Sequence, residues 1–268
     1  MPKITAHQPG TFCWTDLATT DAEGAKKFYT NLFGWTFEDT PAGEGMTYTM
    51  LKLDGNEVAA LSQHADQPPH WNTYIAVENV DETVAQAKSL GAQVFMEAFD
   101  VMDVGRMAMI QDPTGAMVFL WQPRKHAGST IVGEPGALCW TELATHDREK
   151  ASEFYTKLFS WKALTNEVNN TTYTVFMSGE KMVAGMFSID EQWKQDIPSH
   201  WAVFFGVENC KESIEKAVST GGHVIVEPTP VENFGCFAVL QDPQGATFGI
   251  VAMGGEGCST TEEGGGCC

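Results

Sequence analysis

Positive charge is scarce in this chain: 16 Lys and Arg stand against 35 Asp and Glu, a formal net charge of −19 with a pI near 4.6. Affinity for nucleic acid rests on Lys and Arg releasing counterions from phosphates, so such a chain repels phosphate backbones and anionic headgroups. Neither nucleic acid nor membrane is expected as a partner. Long hydrophobic runs are also missing, because the apolar stretches are short and broken by charges. The opening MPKITAHQPG lacks the apolar segment of a signal peptide, and a cytoplasmic protein is expected. Zinc-type cysteine spacing is absent as well: the seven cysteines match no finger or ribbon. The last segment, GGEGCSTTEEGGGCC, has too little apolar content to build a core and is expected to be disordered. Its Cys267 and Cys268 could hold a soft metal or resemble a prenylation signal, but the acidic tail lacks a supporting basic patch. An exposed appendage without catalytic role is the expectation.

What the chain has in abundance is itself. PGTFCWTDLATTD at 9–21 returns as PGALCWTELATHD at 135–147, and FYTNLFGW at 28–35 returns as FYTKLFSW at 154–161. QDPTGA at 111–116 likewise returns as QDPQGA at 241–246. A period this long, spanning both helix-like and strand-like patterns, describes a duplicated domain rather than a solenoid. With 43% hydrophobic and 11% aromatic residues there is apolar area for two cores. The boundaries expected are 9–124 for the first domain, 125–134 for a linker, 135–253 for the second domain and 254–268 for the tail.

Each half divides again. Thr11 to Thr19 alternates as a strand, and Thr20 with Glu23 reads as a capping box opening a helix through Phe28, Tyr29, Leu32 and Phe33. Gly34 stops it, and three short strands follow to Gln63. The same order recurs from Trp71, with a second capping box at Asn79 and Glu82, so each half holds two β-α-β-β-β modules. The helix aromatics lie on one stripe and read as core, and the DPxG tetrads read as turns. Cys13 and Cys139 occupy equivalent strand positions and are expected as buried thiols.

Paired modules of this kind, a helix reading FYxxLFGW, a closing hairpin with DPxGA, and the phrases PPHWNTY and VGRMAMIQDPTGA resemble the vicinal oxygen chelate superfamily. That superfamily includes glyoxalase I, extradiol dioxygenases and bleomycin resistance proteins. The resemblance implies an α+β fold in which four modules pair into two domains with cup-shaped mixed sheets. It also implies one divalent metal per catalytic cup, held by His, Glu or Gln on four strand positions. Aligned by strand and turn, those positions fall on Trp14, Ala60, Asn72 and Phe119, and on Trp140, Gly185, Ala202 and Gly249. None holds His or a carboxylate, so no cofactor is expected. A register shift of two residues would instead bring Asp16 and His70 into play and make a divalent metal possible.

Period-2 alternation puts Asp16 on the face of Trp14, Glu142 on that of Trp140, and His70 on that of Asn72 and Tyr74. Asp16 and Glu142 are candidate general bases or seam hydrogen-bonders, and His70 a candidate acid or a histidine bonded to backbone at its strand entrance. Trp14, Asn72, Tyr74, Arg106, Trp140 and His200 are candidate ligand contacts, with Arg106 equally able to form a surface ion pair. Ala202, Phe204 and Cys236 replace Asn72, Tyr74 and Arg106 in the second half, which points to the first cup as the working one. Two functions follow: a protein that binds a small organic molecule without a metal, or a glyoxalase-like lyase, isomerase or dioxygenase acting on a small carbonyl or aromatic compound. Monomer and homodimer are both compatible with four modules in one chain.

Overall fold

The computed structural model describes residues 3–43, 45–168, 171–189, 197–232 and 234–254. The first module runs β1 (Phe12–Thr19), α1 (Ala22–Phe33), β2 (Thr36–Pro41), β3 (Thr47–Leu53) and β4 (Asn56–Gln63). The second comprises β5 (His70–Ala76), α2 (Val80–Ser89), β6 (Gln93–Val101), β7 (Gly105–Gln111) and β8 (Met117–Pro123). The third is β9 (Leu138–Thr145), α3 (Arg148–Phe159), β10 (Lys162–Val168), β11 (Thr171–Ser178) and β12 (Lys181–Ser188). The fourth is β13 (His200–Gly206), α4 (Cys210–Ser219), β14 (His223–Val231), β15 (Gly235–Gln241) and β16 (Thr247–Met253). Of the expected tail at 254–268, residues 255–268, Cys267 and Cys268 among them, lie outside the described residues.

The first two modules form one eight-stranded sheet in the order β2-β3-β4-β1-β5-β8-β7-β6, and the last two repeat that order. Each sheet is mixed, because β1–β4 and β5–β8 pair in parallel while β1 joins β5 antiparallel. Tyr48 and Met50 from one wall meet Met107 and Met109 from the other around Trp14, so the first sheet curls into a cup. The helices start on side-chain caps. Asp21, one residue after the expected Thr20, accepts from the Gly24 amide, and Asn79 accepts from the Glu82 amide. Gly34 ends α1 at φ +71, a left-handed turn that only glycine adopts without strain.

The repeated phrases turn out to be the seam between the halves. The Tyr29 hydroxyl donates to Asp242 Oδ2 at 3.0 Å, and the Tyr155 hydroxyl donates to Asp112 Oδ2 at 2.8 Å. Trp71 and Trp201 indoles donate to those same two hydroxyls, at 3.1 and 2.8 Å. Trp35 donates to the Gly136 carbonyl and Trp161 to the Gly10 carbonyl, each reaching into the other half. Meanwhile the other oxygen of Asp112 accepts amides of its own turn from Thr114 and Ala116, so the DPxG aspartate ties a hairpin to the partner domain. Two shared cores result: α1 packs with α4 over one, and α2 with α3 over the other.

Candidate binding and active site

Asp16 sits on the floor of the first cup, 6% exposed, beside Ala60 of β4 and Asn72 of β5. Its Oδ2 accepts the hydroxyls of Tyr74 at 2.7 Å and Tyr48 at 3.0 Å, and its Oδ1 accepts the Asn72 amide at 2.8 Å. Burial pushes the carboxyl above the usual aspartate range, opposed by those three hydrogen bonds. Burial and the nearby carboxylate hold both phenols protonated, so they remain donors. The Trp14 indole donates to the Tyr48 oxygen at 3.0 Å, and Tyr74 stacks on Phe119 at 4.6 Å. Every polar group on this floor is matched to another.

The register differs from the expectation. Trp14 pairs with Tyr74 and so shares a row with Phe119, whereas Ala60 and Asn72 align with Asp16 two residues on. Trp14 is 4% exposed and its ring already has a neighbour: His126 lies edge-on at 4.6 Å, leaving no open platform for stacking a ligand. Arg106 is not in the cup. It lies on the helix side of β7, donating to both Asp81 oxygens at 2.9 and 2.8 Å and to Asp100 at 3.0 Å, because alternation sends its neighbour Met107 into the cup instead. His70 and His200 each bond a proline carbonyl two residues back, Pro68 at 2.8 Å and Pro198 at 2.9 Å, at the mouth of their strands. The backbone bond uses Nδ1 of each ring, and His70 is close enough for its charge to act on Asp16.

The second cup carries the same scaffold with different neighbours around its acid. Glu142 stands where Asp16 stands, but its cross-strand neighbours are Gly185 and Ala202. Phe204 replaces Tyr74 and lies against Gly249, where a Cβ would come within 2.1 Å of the ring, and Gly249 itself replaces Phe119. Trp140 and Glu142 are partly exposed where Trp14 and Asp16 are buried. Cys139 is half-buried too, unlike the enclosed Cys13. These positions give the two cups different floors, a closed one around Asp16 and a partly exposed one around Glu142. Among the described residues Ala202 and Phe204 take the places of Asn72 and Tyr74, and Gly185 and Gly249 those of Ala60 and Phe119, so smaller or less polar side chains surround Glu142 than surround Asp16.

A single donor chain runs through this second floor: the Trp140 indole donates to the Tyr173 oxygen at 3.0 Å, and the Tyr173 hydroxyl donates to Glu142 Oε1 at 2.5 Å. The other carboxylate oxygen, Oε2, has no protein partner among the described residues. Burial raises the Glu142 carboxyl to about 7, with the Tyr173 hydrogen bond opposing. Tyr173, like Tyr48, was not anticipated, although the phrase TYT at 47–49 and 172–174 carries it in both halves. Gly185 admits it: a Cβ there would lie 1.9 Å from the Tyr173 oxygen. Gly185→Ala is therefore expected to drive Tyr173 off Glu142 and raise the carboxyl further above 7, read by ¹³C NMR titration of the glutamate side chain; an unchanged titration would contradict the arrangement.

Two tandem domains, each a cup of two β-α-β-β-β modules with one acid on its floor, define a class of small-molecule enzymes and binding proteins. The chain belongs to the Glyoxalase/Bleomycin resistance protein/Dioxygenase superfamily, whose profile matches residues 11–120 and 137–250. It is 43% identical over 258 residues to the protein named "Putative glyoxylase CFP32" of Mycobacterium tuberculosis, covering 94% of this chain and 98% of that one. It is 32% identical to the anthracycline biosynthesis protein DnrV of Streptomyces peucetius, covering 93% and 96%. In fold it is similar to the Mn(II)-bound glyoxalase from Novosphingobium aromaticivorans, with a TM-score of 0.66 at 14% identity over 91% of this chain and 82% of that one.

A divalent metal of the kind that glyoxalase binds needs several oxygen or nitrogen donors converging on one point. Here the rows offer one carboxylate and one amide in the first cup, and one carboxylate flanked by Gly185 and Ala202 in the second. No cluster of three His, Cys, Asp or Glu suited to a metal occurs among the described residues. The donor set does not fit the group, and no step is derived through it.

Proposed function

We propose that this protein binds a small organic molecule in its second cup, seating it against Trp140 and hydrogen-bonding it to Glu142 Oε2. The observation that carries this is the Glu142 carboxyl itself, raised to about 7, with one oxygen held by Tyr173 and the other unpartnered among the described residues on a partly exposed floor. A carboxyl in that condition takes a hydrogen bond from a ligand hydroxyl or amine when ionised and gives one to a carbonyl when protonated. No metal is required for either. A relative named for anthracycline biosynthesis is in keeping with a small organic ligand.

The second reading is a glyoxalase-like lyase or isomerase, and the same carboxyl favours it. A base near pH 7 is well matched to removing a proton next to a carbonyl, with Glu142 Oε2 as the acceptor. Such a step leaves an oxyanion that needs a donor. The Trp140 and Tyr173 donors are both committed, to Tyr173 and Glu142, so the described residues supply the base without its counterpart. Binding is therefore placed first.

The test is a thermal-shift screen of small planar carbonyl and phenolic compounds against wild type, Asp16→Asn and Glu142→Gln. A compound at 100 times its Kd adds about 2.7 kcal/mol of stability. Hits are expected to stabilise wild type and Asp16→Asn and to lose most of that effect in Glu142→Gln. Loss confined to Asp16→Asn would return the site to the first cup, and turnover of a hit that vanishes in Glu142→Gln would promote the lyase reading.

A further inference from the structure

The segment after β8 does not simply link the domains. It wedges between the starts of β1 and β4, where those strands part: the Ser129 amide donates to the Cys13 carbonyl at 2.8 Å, and the Thr130 amide to the Glu57 carbonyl at 2.8 Å. The Ser129 hydroxyl donates to the Val58 carbonyl, and the Arg124 and His126 amides both donate to Val104 at the far wall. Gly128 makes the close approach possible. It sits at φ +113, and a Cβ there would fall 2.3 Å from the Cys13 carbonyl oxygen. The strap so formed spans the end of the first cup from β7 to β4.

Its side chain against Trp14 is His126. The imidazole lies edge-on to Trp14 at 4.6 Å and to Trp121 at 6.0 Å, with Nδ1 3.3 Å from Glu57 Oε2. Nε2 is buried without a hydrogen-bond partner among the described residues, a cost that a purely structural stopper such as leucine would avoid. The ring thus holds the place where a flat ligand would meet Trp14, and it holds that place imperfectly.

We propose that the first cup is a latent binding site for a planar nitrogen heterocycle, filled in the resting chain by the His126 imidazole. The walls specify the class: two indoles accept a flat ring, and Glu57 accepts an N–H from it. A carboxylate or phosphate is disfavoured there by the adjacent Glu57 and by the buried Asp16 deeper in the cup. The site stands independently of the Glu142 reading, since it lies in the other domain and uses none of the same residues.

Two variants open it by different means. His126→Gly removes the ring, and Gly128→Ala unseats the strap while leaving the ring in the chain. The probe is imidazole, with cyclopentane as an isosteric control lacking the N–H, titrated at about pH 8 and followed by the indole N–H signals of Trp14 and Trp121 in ¹H–¹⁵N NMR. His126→Gly is expected to bind imidazole roughly tenfold more tightly than wild type and in preference to cyclopentane, a difference within reach of a five-atom ligand. Gly128→Ala is expected to shift in the same direction, and it decides the matter if His126→Gly does not fold. Folded variants that bind imidazole no better than wild type would overturn the proposal. So would imidazole shifts confined to Trp140, or equal binding of cyclopentane.

Discussion

Replacing Tyr29 by alanine is expected to lower the free energy of unfolding by about 3–5 kcal/mol, the range for deleting a large buried ring. Tyr29 is fully buried, packs on Phe28, Trp35 and Phe248, and bonds residues of both halves through one hydroxyl. Its loss leaves a cavity and strips both the Trp71 indole and the Asp242 carboxylate of a partner. Urea unfolding followed by tryptophan fluorescence reads the change, with a midpoint well below wild type as the expected outcome. A loss under about 1 kcal/mol would mean that the seam between the halves is looser than these contacts require.

Asp16→Ala and Glu142→Ala should part company sharply, although the two acids are counterparts in the repeat. Asp16 receives three side-chain donors in a closed pocket, and hydrogen bonds to a charged group are worth about 1.5–3 kcal/mol each before desolvation is set against them. Leaving Tyr48, Tyr74 and Asn72 unmatched in the first cup is expected to cost about 2–5 kcal/mol in urea unfolding. Glu142 has one side-chain donor and no partner for Oε2 among the described residues, so Glu142→Ala should stay within about 1 kcal/mol of wild type near pH 7. Equal losses in the two variants would contradict the difference in how many donors hold each acid.

Much of the fold was legible because its signals are local. Strand alternation, the Asn79 cap and the glycine stop at Gly34 each dictate backbone geometry within a few residues, and the duplication multiplied them. Thr20 was read as a cap in place of Asp21 because both are good caps and only the backbone chooses between them. The acids Asp16 and Glu142 were found by alternation from Trp14 and Trp140 and do face the cups. The site was less legible because openness is a matter of volume, which depends on residues far apart in the chain. Gly185 and Gly249 look like absences, yet they are what lets Tyr173 and Phe204 take their places. His126 lay in a stretch expected to be a linker, and no periodicity announces a side chain that a strap carries into a cup. Arg106 was misplaced because a single residue of strand register turns a cup residue into a partner for Asp81 on α2.

The pH dependence of stability in wild type and Glu142→Gln tests the account at its centre without need of a ligand. A carboxyl raised from 4.5 to about 7 in the folded state keeps its proton longer than the unfolded chain does, so its contribution to stability is whole below about 4.5 and is lost as pH rises through 7. Glutamine has no such loss and still accepts from Tyr173. Unfolding free energies are therefore expected to agree near pH 4.5, then diverge, with Glu142→Gln more stable by about 1–3 kcal/mol at pH 8 after allowance for partial solvent exposure. Curves that stay parallel from pH 4 to 8 would show Glu142 to be an ordinary surface glutamate and would remove the second cup as the working site.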